Sequence, residues 1–342
     1  MKRGRKRFAY EGPAADSAMG STTIYETIRA YKALSGGSLP SSLYVNKVPV
    51  LTAIELQEEG VPVRLPYSWY KFGPEIEAPS SQLLYRTAPK RGGETEELVE
   101  DEFEYRTLVD WRGAAPAFDP GDRASTAIRE KVRELLVRYM GDGKSELLVD
   151  RAYEFAPYDF QRKFRIVRIH LGRTGRGSQF QETARVGDLW TQTHDAFQVF
   201  PKGDFPSLEV GAIVTQRIVN YSWNRLEKRD TYAAADTLEQ FWAAFASCLR
   251  ASPAGHSDAV PEWLVEEWDH LAVLDTARFT RAAGDMAIRL SKTDPDVRKD
   301  DLLGEIAESR EAERQSADRE IDEALSDADE LQAILSSDVD EG

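Results

Sequence analysis

Val61-Pro-Val-Arg-Leu-Pro-Tyr-Ser-Trp-Tyr-Lys-Phe-Gly-Pro74 is the stretch on which the reading of the fold turns. It is rich in β-branched and aromatic residues and broken by proline, so it fits a short β-hairpin and not a helix. Upstream, Thr23 and Glu26 have capping-box spacing, and Ile24, Ile28 and Tyr31 repeat at helical intervals up to Gly36-Gly37. A second helix is expected from about Asn46 to Glu59, carrying Val50, Leu51, Ile54 and Leu56 and closed by Gly60. Helix, helix and a small β element in this order is what a winged-helix-like domain requires.

Downstream, residues 88–125 read as an exposed loop, with Pro89, Gly92, Gly93, a cluster of acids, Pro116, Pro120 and Gly121. Ile128, Val132, Leu135, Leu136 and Tyr139 then form an amphipathic stripe. Gly141 and Gly143 stop that helix, Ser145 is placed to cap the next, and Pro157 breaks it. Further helices are expected near 208–228, 236–250, 261–275 and 276–291, with Asp236 and Glu239 at capping-box spacing and Pro261 in a first turn. The fold class expected is mainly α. A basic disordered arm covers 1–20 and a winged-helix-like domain 21–165, able to fold alone as residues 22–165. A basic linker or strand follows over 166–185, a helical domain over 186–295 and an acidic helical tail over 296–342. Met19 offers a second start codon besides Met1.

Charge separates along the chain. Of 59 acidic and 44 basic residues, 17 and 5 lie in 296–342, which leaves 42 and 39 for the rest. The acidity is a property of the tail, where Ile321, Leu325, Ala328 and Leu335 share one helical face. Arginine outnumbers lysine, 31 to 13, and with the many carboxylates this points to a GC-rich, salt-loving source, where surface charges are heavily screened. No apolar run reaches the ~18 residues of a membrane span, and no apolar segment follows the basic start. With one cysteine, Cys248, the chain makes no internal disulfide. A cytoplasmic, membrane-free protein is expected, with Cys248 half-buried.

Several segments come near catalytic motifs without completing one. Gly141-Asp-Gly-Lys-Ser145 resembles the end of a phosphate-binding loop. Position 138 is arginine where that motif needs glycine, and the segment follows an amphipathic helix instead of a strand. A helix stop followed by a helix start explains it. Gly172, Gly175 and Gly177 lack dinucleotide-binding spacing. His170, His194, His256 and His270 have no zinc-binding spacing. His194-Asp195 lacks an accompanying nucleophile. No cofactor, metal ligand or catalytic residue is assigned. A metal-dependent nuclease with an unrecognised carboxylate site stays as an alternative.

The binding signal is the run Arg162, Lys163, Arg165, Arg168, Arg173 and Arg176, with no acid between Asp159 and Glu182. Arg alternates with aliphatics through Phe164–Ile169, so a strand presenting guanidinium groups to phosphates is one reading. The other is a solvated face whose arginines pair with the acidic tail. A DNA-binding regulator using this strand, the helix at 46–59 and the basic arm is therefore an alternative.

Three local features together resemble the Panacea-type (SocA-like) antitoxin family. The first is the Lys-containing helix from Asn46-Lys47, with Val50, Leu51, Ile54 and Leu56. The second is Trp69-Tyr70-Lys71-Phe72-Gly73-Pro74, similar to that family's Trp/Tyr-x-Tyr-Gly-Pro element. The third runs from Val132-Arg-Glu-Leu-Leu through Gly141, Ser145, Glu146 and Leu147 to Ala156-Pro157-Tyr158. Phe72 departs from the family's Tyr, and Glu154 or Phe155 stands where it often has His. The resemblance covers 22–165 and implies a non-enzymatic regulator or adaptor that binds a protein partner such as a toxin.

Overall fold

The computed structural model describes residues 14–61, 63–77, 82–89, 105–116, 121–141, 143–175, 183–224 and 228–293. The basic residues of the arm (Lys2 to Arg7), Arg176 and the acidic tail lie outside them. The described chain is mainly helical with small antiparallel β-hairpins. None of its helices is long and apolar enough to cross a membrane.

The chain starts with α1 (Ala14–Leu34) and α2 (Ser42–Glu58). Helix α1 begins nine residues before Thr23, inside the expected arm, so the capping box is not one. Thr23 is buried in mid-helix and its hydroxyl donates back to the Met19 carbonyl at 2.8 Å, the other use a helical threonine has. Glu26 is buried too, accepting from Arg29 Nη2 at 2.6 Å and Arg129 Nη2 at 3.0 Å. Helix α2 starts four residues before Asn46 and carries Pro49 in its interior. A start at Asn46 would place that proline in the first turn, where it fits best. Burial on nearly all sides, from Leu43 to Leu56, holds the helix together despite the missing N–H.

β1 (Tyr67–Tyr70) and β2 (Gly73–Ile76) form the expected hairpin, with Trp69 opposite Pro74 and Tyr70 opposite Gly73. A second hairpin, β3 (Leu83–Pro89) with β4 (Tyr105–Trp111), takes up the start and the middle of the supposed 88–125 loop. Its core signal is sparse. Leu83 and Val109 are buried while Leu84, Tyr85 and Arg86 are exposed, and proline at the strand end imitates a loop. The Val109 N–H donates to Pro40 O at 2.9 Å, and Lys32 Nζ sits 2.6 Å from Asp110. Both contacts tie this hairpin to the first helices.

α3 (Arg123–Tyr139) buries Ile128, Val132, Leu135, Leu136 and Tyr139, the whole predicted stripe, and Asp122 caps it through Ala124 N and Ser125 N. α4 (Lys144–Glu154) starts from Gly143 at φ 72° with no side-chain cap. Ser145 is therefore a buried first-turn residue and not the cap. Next comes α5 (Asp159–Gly175), which corrects the strand expected for the Arg-rich segment. Phe160, Phe164 and Val167 are fully buried at i, i+4 and i+7, a helical spacing that the local alternation of Arg and aliphatics concealed. α6 (Thr183–Gln198), α7 (Pro206–Asn224), α8 (Lys228–Ala251) and α9 (Glu262–Thr293) follow. α8 begins eight residues before Asp236. α9 runs unbroken through the junction expected at 275/276, where no Gly or Pro interrupts it.

Chain contacts group the described residues into two compact units, those up to Phe200 with Trp242–Asp275, and Pro201–Phe241 with those from Thr276 on. The first has a helical core around Ile24, Val48, Leu51 and Leu135. It also holds an aromatic cluster in which Phe160 meets Phe164, Phe197, Phe200, Trp242 and Phe245 at centroid distances of 4.8 to 6.3 Å. Trp242 stacks on Phe164 at 5.1 Å with 6° between planes. The second unit centres on Phe205, Leu208, Ile218, Leu238, Phe241 and Phe279. There a Cβ at Gly211 would stand 2.5 Å from the Phe279 ring, so only glycine fits.

Candidate functional site

The Tyr-Lys-Phe-Gly-Pro turn of the first unit is held from several helices. Lys47, on α2 and 2% exposed, donates from Nζ to the Pro74 carbonyl at 2.8 Å. Gly73 has φ 87°, and a Cβ there would meet the Tyr153 ring of α4 at 3.1 Å and Lys47 Nζ at 3.4 Å. Glycine is thus required both for its backbone conformation and for close approach. Trp69 lies edge-on to Tyr153, centroids 5.9 Å apart. One lysine, one turn and one aromatic therefore join α2, the hairpin and α4.

The other side of the turn is held by α5 and α8. The Lys71 carbonyl accepts from Arg168 Nη1 and from Trp242 Nε1, each at 2.9 Å. The Arg168 guanidinium also lies 5.0 Å from the Phe72 centroid and 5.6 Å from that of Trp242, within cation–π range. At the base of β1, Arg250 donates from Nε to Ser68 Oγ at 2.9 Å and pairs with Glu77, which also accepts from the Ser68 hydroxyl at 2.7 Å. The same guanidinium sits between Tyr70 (5.0 Å) and Trp268 (4.3 Å). Burial pushes the nearby Tyr67 phenol above its ordinary value, and the charge of Asp258 adds to this.

The predicted phosphate-binding arginines are used inside this scaffold. Arg162 pairs with Asp159 at 2.5 Å, Arg165 pairs with Asp150 and lies 5.1 Å over the Tyr153 ring, and Arg168 grips the turn. Lys163 Nζ reaches the Asp195 carbonyl at 3.4 Å. Their partners are local acids and carbonyls. Arg173 lies on α5 with its side chain outside the described residues, as is all of Arg176. Sequence reasoning missed Arg250, whose role was signalled only by an arginine adjoining an aromatic-rich helical stripe.

The remaining chemistry-bearing groups have ordinary settings. His256 Nδ1 is 3.0 Å from the Arg250 carbonyl, and His270 Nδ1 is 2.8 Å from that of Glu266. His194 stacks on Trp190 at 5.7 Å. Cys248 is half-buried. Among the described residues no group of three His, Cys, Asp or Glu side chains could hold a metal ion. No family model, curated protein or solved structure matches this chain.

Proposed function

We propose that this chain is a cytoplasmic, non-enzymatic regulatory protein that acts by binding a protein partner, in the manner of an antitoxin or adaptor, through a winged-helix-like N-terminal domain. One observation carries this reading. The three segments whose residues resemble the Panacea-type family meet physically, with Lys47 of the first donating to Pro74 of the second at 2.8 Å and Gly73 pressed onto Tyr153 of the third. Residues far apart in sequence that complete one contact are stronger support for kinship than three separate matches. A DNA-binding regulator draws on the same elements, but Arg165 and Arg168 are spent on Asp150 and Lys71, which lowers its support.

The test is recovery of the tagged chain from its source organism in native salt with nuclease present. A protein recovered in stoichiometric amount agrees with the proposal. Nucleic acid as the only companion, or a turnover activity of the pure chain, overturns it.

A further inference from the structure

We propose that the outer face of α9 between Trp263 and Leu274 docks a basic amphipathic helix of a protein partner, a proposal that rests on the partner-binding reading above. The inner face of this segment buries Trp268 and Ala272. The outer face exposes Trp263 (42%), Val273 (69%) and Leu274 (52%). Trp263 and Leu274 are about three turns apart, roughly 17 Å, so they line up along the helix, and Val273 widens the strip. Single exposed aliphatics are normal, but Trp263 and the Val273–Leu274 pair lie on one helix face, with exposed His270 between them, and form an interrupted apolar strip.

Charge selects the occupant. Glu262, Glu266 and Asp269 are exposed beside the strip. Between Arg250 and Arg278 the chain has six carboxylates, those three with Asp258, Glu267 and Asp275, and no Lys or Arg. Other exposed faces are mixed: α3 presents Glu130, Arg133, Glu134 and Arg138. An apolar strip flanked by acids as far as Arg278, which is exposed one turn beyond Leu274, complements a helix with apolar anchors at i, i+3 or i+4 and i+7 and a basic flank. A second copy of this chain would oppose acid to acid, which disfavours it.

The test titrates the full chain with labelled synthetic peptides of about 18 residues, long enough to cover the strip. One has Leu on one face and Lys on the other, one has Glu in place of Lys, and one is a scrambled Lys/Leu peptide without an apolar face. Saturable binding of the amphipathic Lys/Leu peptide is expected, weakened about tenfold or more by V273S/L274S, as for central apolar anchors. Val137→Ser, at an exposed valine on α3, should leave binding unchanged, and V273K should weaken it while native unfolding is retained. Equal binding by V273S/L274S overturns the proposal. So does equally tight binding of the scrambled peptide, which would report charge alone, or of the Glu/Leu peptide. Concentration-dependent dimerisation lost in V273S/L274S would assign the face to self-association and also overturn it. If these arms fail while the native partner is still captured in stoichiometric amount, the α9 assignment falls and the partner-binding reading stands.

Discussion

Lys47 Nζ donates to the Pro74 carbonyl at 2.8 Å from a site where the lysine is 2% exposed. A buried ammonium is tolerated only where acceptors surround it, so the turn after Gly73 and the middle of α2 specify each other. Tyr153 closes the same contact from α4. With Arg168 of α5 and Trp242 of α8 on the Lys71 carbonyl, the hairpin is a keystone for four helices and not an appendage.

Lys47→Met keeps the apolar stem and removes the donor. Leaving a buried carbonyl unpaired costs about 1–3 kcal/mol, and denaturant unfolding should report a loss in that range. Gly73→Ala should be destabilising as well, by at least the ~1–2 kcal/mol of a left-handed alanine, because its Cβ also meets the Tyr153 ring at 3.1 Å. Retention of full stability by both variants would remove the keystone role.

A fragment of residues 22–165 should lack a cooperative unfolding transition. The cut falls inside α5 and discards Arg168 and Trp242, the two donors on the Lys71 carbonyl. It also strands Phe160, whose ring contacts come from Phe197, Phe200, Trp242 and Phe245 as well as Phe164. In the full chain, Phe160→Ala should cost about 3–5 kcal/mol, the range for deleting a fully buried ring. A sharp calorimetric transition for the fragment would contradict this.

Periodicity made α3 legible, because the five residues of its stripe all face one core and only Val137 departs from the pattern. The first hairpin was legible through Gly73 and its aromatics. Where two physical readings compete, the sequence alone misleads. Thr23 and Glu26 have the spacing of a cap yet bond to Met19 O and Arg129 inside a helix. Phe164 to Ile169 alternate like a strand, while the longer series Phe160, Phe164, Val167 is helical. The grip of Arg168 and Trp242 on Lys71 spans up to 171 positions, and no local window contains it.

Asp110 gives a pH dependence of defined sign. Burial raises its carboxyl, but the hydrogen bonds from Lys32 and from the Trp111 N–H outweigh that and hold it below its ordinary value of 3.8. A lowered folded value means the contribution is complete above the unfolded value and is lost as pH falls through the folded one. The Tm gap between the native chain and Asp110→Asn should be widest above about pH 4 and close as pH falls below it. A gap that widens on acidification would reverse the assignment.

Arg168→Ala should behave as a packing lesion. Its Tm should fall because the Lys71 carbonyl loses a charged donor, while duplex DNA binding across a salt series should change little. The same series on residues 1–295, without the acidic tail, checks whether the tail masks a polyanion site. Tight, steeply salt-dependent binding by that form, abolished by Arg168→Ala, would favour the DNA-binding alternative.

The most direct measurement is a calorimetric titration of the co-purified partner, purified separately and nuclease-treated, into the full chain in native salt. Saturation near one to one, with the partner's activity lost in step with occupancy, is the result expected of a regulator that binds and does not turn over. No saturable heat would contradict it, and loss of partner activity at far below stoichiometric amounts of this chain would contradict it in favour of an enzymatic role.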